Sequence, residues 1–202
     1  MKALWSIFLG GLVLVGKAEA RLGESYETIR SRVGDLKLSA DHDYPLELVE
    51  AKCMDVAGFS TITFVFFRTK GGSDSQITIS DISGNCVGVY YGKYYKKWNE
   101  VEMAPKDVGE LLAKNFPDPA TSMQIVKSDG ISGDIATSRL WNVRWIGAHG
   151  EYAEGGVRAS SEYTPTFYVV CWSAELKKFN DNKYEEEKRA KEQKRQKAMD
   201  AL

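Results

Sequence analysis

The feature that most constrains the fold is an order of secondary-structure patterns that occurs twice, about 80 residues apart. In each half, a short stretch with apolar residues at helical spacing comes first. Three or four runs rich in Val, Ile, Phe, Tyr and Thr follow it, bounded by Gly, Ser, Asn and Asp clusters. Such runs, joined by short turns, are typical of antiparallel meanders. The sequence therefore predicts an α+β protein of two tandem units, each a short helix followed by a three- to four-stranded antiparallel meander.

Caps and charge set the predicted boundaries of these units. Ser25 and Gly34 flank the first helical stretch, and Pro105 stands at the first helical position of the second. The units are accordingly predicted at 21–100 and 101–174. Residues 175–202 lack Gly and Pro and are rich in charge, so they are predicted to form a C-terminal charged helix.

The first 20 residues are typical of a secretory signal peptide. Lys2 precedes an apolar run, and Ala18 and Ala20 give the small-x-small spacing that signal peptidase recognises. As a helix the run rises only about 20 Å, less than the roughly 30 Å hydrocarbon core of a bilayer. We therefore expect residues 1–20 to be removed and the chain, with no transmembrane span, to be exported to the periplasm or secreted. A retained anchor is the alternative.

Charge and motifs exclude several function classes. From Arg21 onward the chain has 25 basic and 27 acidic residues, a net charge of −2, so no specific nucleic-acid partner is expected. The sequence has neither a phosphate loop nor a dinucleotide fingerprint, and we expect no cofactor. The basic end of the C-terminal helix is either a solvated tail or a weak contact for an acidic surface.

Three cysteines allow one disulfide in an oxidising compartment. Cys171 lies in the apolar run FYVVCWS, where a buried free thiol is expected. That leaves Cys53 and Cys86 as the predicted disulfide pair.

Aromatic residues provide the candidate binding surface. The segment YYGKYYKKW, residues 90–98, interleaves rings with lysines, and two tryptophans alternate with arginines in RLWNVRW. Tyr and Trp on a rigid sheet are the side chains that dominate many protein interfaces; packing of the same rings into the core is the alternative. The predicted binding residues are Tyr91, Tyr94, Tyr95, Trp98, Trp141 and Trp145.

Catalytic and metal patterns are weak. Asp41, His42 and Asp43 are sequence neighbours, which converge poorly on one ion, so no metal site is predicted. The favoured interpretation is an exported, non-catalytic protein-binding or envelope-associated module that presents an aromatic sheet surface, and it includes no catalytic residue. The enzyme alternative is a small secreted hydrolase that uses His149 with a nearby carboxylate, Glu151 or Glu154.

Two resemblances agree with this interpretation. The stretch ARLGESYETIRSRVGD after the leader, the SGNCVGVYYGK turn and the later RLW strand resemble a family of exported bacterial proteins that begin ARLGE after cleavage and have no known activity. The helix-plus-meander order more remotely resembles the unit of the small lipoprotein of the barrel-assembly machinery, found twice in the β-lactamase inhibitor protein. The second resemblance implies a non-catalytic sheet surface for a protein partner. A purely structural envelope protein is a further alternative.

Overall fold

The computed structural model describes residues 21–44, 46–69, 76–103, 105–116, 123–130, 141–159 and 164–199. The predicted leader lies outside the described residues. The helices of the described segments are α1 (Tyr26–Val33), α2 (Pro105–Asn115) and α3 (Ala174–Met199). The strands are β1 (Lys37–Ala40), β2 (Leu48–Val56), β3 (Phe59–Arg68), β4 (Ile82–Tyr94), β5 (Met123–Gly130), β6 (Trp141–Gly147), β7 (Tyr152–Ala159) and β8 (Pro165–Trp172).

The strands form one antiparallel sheet in the order β1-β2-β3-β4-β8-β7-β6-β5. Each run of four consecutive strands is a meander. The two meanders meet where β4 pairs with β8, with Val89 opposite Cys171 and Gly92 opposite Tyr168. The α+β class, the antiparallel sheet and the C-terminal helix are therefore confirmed.

Helices α1 and α2 cover one face of the sheet, and most of the core lies beneath them. Ser25 Oγ accepts a hydrogen bond from Thr28 N at 3.3 Å and caps α1, whose Ile29 is fully buried. Helix α2 approaches β7 closely, because a Cβ placed on Gly155 would lie 2.7 Å from a Val108 methyl. Gly155 is thus the position that lets this helix lie directly on the sheet.

Helix α3 packs on one end of the opposite face. Its Leu176 side chain is 1 % exposed and packs with Leu48 and Val65. Gly88 makes room for it, since a Cβ there would lie 2.6 Å from Leu176 Cδ2. Farther along, Lys183 Nζ bonds Glu47 Oε1 at 2.9 Å. Among the described residues, the rest of this sheet face is left open.

In the part of the chain that the structure describes, no helix combines the length and the apolar character that a membrane span requires.

The predicted Cys53–Cys86 disulfide is wrong: both residues, like Cys171, are buried free thiols. Strand register explains why. Cys53 stands opposite Ile62, which stands opposite Tyr91 on β4, five residues from Cys86. Two strand spacings and five residues separate the two Cα atoms by about 19 Å. A disulfide tolerates only about 7 Å.

We expect three thiols to be alkylated when the protein is denatured without reductant, by intact mass. In the folded protein, labelling should be slow, because burial raises the pKa of the Cys86 thiol to about 12 and also raises that of Cys171. A count of one reactive thiol under denaturing conditions would contradict the free-thiol assignment, and a reduced sample provides the reference count of three.

Candidate binding groove on the open face of the sheet

The open face carries three cross-strand rows of side chains, which the strand registers bring together from β2, β3, β4, β8, β7 and β6. The first row is Lys52, Thr63, Tyr90, Val170, Glu154 and Arg144. The second is Met54, Thr61, Gly92, Tyr168, Gly156 and Asn142. The third contains Tyr94, Thr166 and Arg158. Because alternate residues of a strand share a face, all of these positions project away from α1 and α2.

An open groove of about 380 Å³ lies between side chains of these rows. Its depth comes from small side chains on the central strands, which lie between large rings. The small residues that line it are Thr61, Thr63, Gly92, Thr166 and Val170, and the rings are Tyr90, Tyr94, Tyr152, Tyr168 and Trp172. The groove therefore lies across the junction of the two meanders.

One wall of the groove is fixed by the carboxylate of Glu154, whose side chain is 18 % exposed. Its oxygens accept hydrogen bonds from Arg144 Nε at 2.9 Å, Tyr168 OH at 2.9 Å, Asn142 Nδ2 at 2.5 Å and the hydroxyl of Tyr152. Bonds to an ionised acceptor are stronger than neutral ones. Glu154 thus holds two tyrosine rings in one orientation.

The pKa values of Glu154 and its tyrosine donors follow from these hydrogen bonds. Burial by itself raises the pKa of Glu154, but the hydrogen bonds from Tyr152, Asn142 and Tyr168, with the charge of Arg144, outweigh it and lower the pKa below its usual value. The two tyrosine donors shift in the opposite direction. Burial and the hydrogen bond to Glu154 raise the pKa of Tyr168 to about 12, and the pKa of Tyr152 is raised as well. The carboxylate is therefore ionised and both hydroxyls are protonated at neutral pH.

We expect Glu154 to make stability depend on acid pH. Its pKa is lower in the folded than in the unfolded chain, so its contribution is complete above pH about 4.3 and is lost as pH falls through the folded pKa. Glu154→Gln should lower the free energy of unfolding by about 1–3 kcal/mol at neutral pH. The free energy of unfolding of this variant should also fall less than that of the wild type as the pH is lowered into the acid range.

The measurement is urea unfolding of both proteins at a series of pH values. Glu192→Gln, at an exposed position of α3, is the matched control and should leave the wild-type pH dependence unchanged. The Glu154 assignment is wrong if E154Q keeps the full acid decline.

A second group of rings fixes the end of the groove next to α3. Trp172 Nε1 donates to Tyr90 OH at 2.9 Å, and the Trp172 and Tyr152 rings lie 4.8 Å apart at an interplanar angle of 33°. On the other side, the Arg158 guanidinium lies 4.8 Å from the centroid of the Tyr168 ring. The aromatic walls are thus held before any ligand binds, which reduces the entropy cost of binding.

Charged groups mark the two sides of the groove. Lys52 and Glu50 lie on β2, whereas the exposed Arg158 lies on β7, four strand spacings or about 19 Å away. Burial raises the pKa of Glu50, and Lys52 opposes that shift. The groove therefore presents cations at both sides and an aromatic, hydroxyl-rich centre.

The structure separates the six residues predicted for binding. Tyr91 is among the residues that border the groove, but Tyr91 and Tyr95 are only 4 % and 7 % exposed and their rings belong to the core beneath the helices, so these rings do not form part of a surface. Tyr91 packs on Phe59 with ring centroids 5.2 Å apart and its hydroxyl accepts a bond from Asn115 Nδ2 at 2.9 Å. Tyr94 is 60 % exposed and lines the groove.

The three predicted tryptophans lie outside the groove. Trp98, Trp141 and Trp145 are half-buried against the core on the helix-covered side, and the Trp141 ring lies 6.2 Å from that of Phe167. Apolar surface of this size gains more from the core than from solvent, so packing is the better account of these residues.

Several groove residues were missed by the sequence analysis, above all Tyr90, Tyr168 and Arg158. Strand β8 contains the relevant signal, because Tyr168, Val170 and Trp172 alternate with the buried Phe167, Val169 and Cys171. This alternation shows that the strand has two different faces. It does not show which face the helices leave open.

The proposed hydrolase pair gains no support from this geometry. His149 is exposed on the turn between β6 and β7, where its backbone N–H donates to Glu151 Oε2 at 3.0 Å. Glu154 instead accepts hydrogen bonds from its donors on the sheet.

The candidate metal residues form a turn: Asp41 accepts hydrogen bonds from the backbone N–H groups of Asp43 and Tyr44, each at 2.8 Å. Among the described residues, no three His, Cys, Asp or Glu side chains group as metal ligands.

No protein-family model, curated protein or solved structure matches this chain.

Proposed function

We propose that this protein is an exported, non-catalytic module that binds a segment of a protein partner in the groove on the open face of its sheet. The observation that carries the proposal is the set of fixed rings around a floor of small residues. Tyr90, Tyr168 and Trp172 are each held by a side-chain hydrogen bond, and the exposed Tyr94 stands beside them. Rigid Tyr and Trp side chains offer large contact areas at low conformational cost.

The dimensions of the groove favour a polypeptide segment over a compact small molecule. The lining runs across five strands, a width of about 19 Å from β2 to β7. Binding sites for small molecules are usually concave enough to bury most of the ligand. This groove is open along its length and carries charges of both signs, which suits side chains spaced along a peptide.

Duplication of one unit is part of the proposal. In the part of the chain that the structure describes, each of the ranges 21–100 and 101–174 contributes one α-helix and then four strands, and the last strand of each, β4 and β8, pairs at the centre of the sheet. Two similar units related by a twofold rotation would pair their last strands in this way. The arrangement supports the resemblance to helix-plus-meander proteins, and export rests on the leader pattern.

The test is selection from a random peptide library displayed on phage. Peptides are panned on the wild-type protein after depletion on the double variant Tyr94→Ala, Arg158→Ala, which lacks an exposed ring and a cation of the groove. We expect peptides that bind the wild type and fail to bind the variant. If every selected peptide binds both proteins equally, the groove is not the binding surface and a structural role in the envelope becomes the better interpretation.

A further inference from the structure

The outer part of α3 is exposed to solvent along its length. Beyond Lys183, every described residue of the helix from Tyr184 to Met199 is exposed. These 16 positions correspond to about 24 Å of helix. The helix is therefore attached through its first three turns, by Leu176, Phe179 and Lys183, and projects into solvent beyond them.

The projecting segment from Tyr184 to Met199 has six basic and four acidic residues, a net charge of +2, and its cations follow the acidic run Glu185 to Glu187. Between Lys188 and Lys197, six basic residues stand with the single acidic residue Glu192, a net charge of +5. Since the whole chain has a net charge of −1, the other residues together have −6. A cationic segment held away from an anionic body can approach an acidic partner, because distance and salt screen the repulsion between that partner and the body.

The cations are concentrated on one side of the helix. At 3.6 residues per turn, Lys188, Lys191, Lys194 and Arg195 fall within an arc of about 120°. Tyr184, 66 % exposed, lies in the same arc, as does Glu187, whose Oε2 is 3.9 Å from Lys191 Nζ. We will call the four basic residues the cationic arc.

We propose that the cationic arc binds the surface of a bilayer that contains acidic phospholipids. Long cationic side chains on one side of a helix can reach a flat anionic surface together. Tyr184 on the same side suits the interface, where tyrosines are enriched. The segment has no apolar stripe, so it lies on the headgroups without insertion, and its binding is reversible and sensitive to salt. This function is separate from peptide binding in the groove.

The experiment is co-sedimentation of the full chain with vesicles of phosphatidylcholine alone or with phosphatidylserine added. We expect retention on the phosphatidylserine vesicles at low salt and release at high salt. The variant Lys188→Gln, Lys191→Gln, Lys194→Gln, Arg195→Gln should lose retention. Each cation contributes about a fivefold change in affinity, so the four together should reduce it on the order of several hundredfold.

The matched control removes four exposed lysines from the body: Lys37→Gln, Lys96→Gln, Lys97→Gln, Lys106→Gln. It has the same change in net charge and should still be retained on phosphatidylserine. Circular dichroism of each variant verifies that it is folded. Equal retention of the two quadruple variants, or equal retention of the wild type on both vesicle types, would overturn the proposal. Binding to a single-stranded polynucleotide without binding to phosphatidylserine vesicles would overturn it as well, in favour of nucleic acid.

Discussion

Replacing Phe167 with alanine should lower the free energy of unfolding by about 3–5 kcal/mol, as expected for a large aromatic side chain removed from a closed core. Phe167 is fully buried on β8, where it stands opposite Lys93 on one neighbouring strand and Val157 on the other. Its ring packs near Trp141. It therefore lies where the two meanders join, and its loss weakens both.

The shared core also predicts how the protein unfolds. Urea titrations of the wild type and of F167A, followed by tryptophan fluorescence and by far-ultraviolet circular dichroism, should each give one transition with coincident curves. Leu46→Ala, at a position that is 62 % exposed, should change the free energy of unfolding by less than about 0.5 kcal/mol. Two separate transitions would show that the halves fold independently and that Phe167 does not join them.

Replacing Tyr94 with alanine should weaken peptide binding at least about 30-fold, the effect of losing one interface hot spot of about 2 kcal/mol. The side chain is 60 % exposed, so its removal should change stability little. Its ring stands at one edge of the groove, in the row that also contains Thr166 and Arg158. A bound segment would cover it.

Tyr184→Ala provides a matched control for that measurement. Tyr184 is 66 % exposed on the projecting part of α3, away from the groove. Isothermal titration with a groove-selected peptide should give wild-type affinity for Y184A and a weak or undetectable interaction for Y94A. Equal affinities of the two variants would remove Tyr94 from the binding surface.

Much of the local structure could be predicted from sequence because its signals are local. Ser25 and Gly34 mark the ends of α1, and the alternation along β4 and the residue that follows it separates Tyr91 and Tyr95 from Tyr90 and Tyr94. Which set faces solvent depends on where α1 and α2 pack, and that is decided by residues distant in sequence. The predicted binding set therefore combined the buried Tyr91 and Tyr95 with the exposed Tyr94.

The groove depends on long-range register, so local alternation such as that of β8 does not predict which side chains meet in it. Tyr90 meets Trp172 through the pairing of β4 with β8, and Glu154 meets Tyr168 through the pairing of β7 with β8. The same limit explains the wrong disulfide. Composition allows Cys53 and Cys86 to pair, whereas the intervening strand β3 keeps them apart.

The central claim is that peptides bind in the groove, and blocking the groove tests it most directly. The native thiols are buried, so a cysteine introduced as Thr61→Cys within the groove can be labelled selectively with a bulky maleimide. Glu27→Cys, exposed on α1 on the other face, receives the same label as a reference. The account predicts that labelled T61C no longer binds the selected peptides while labelled E27C binds them normally. Full binding by labelled T61C would contradict it.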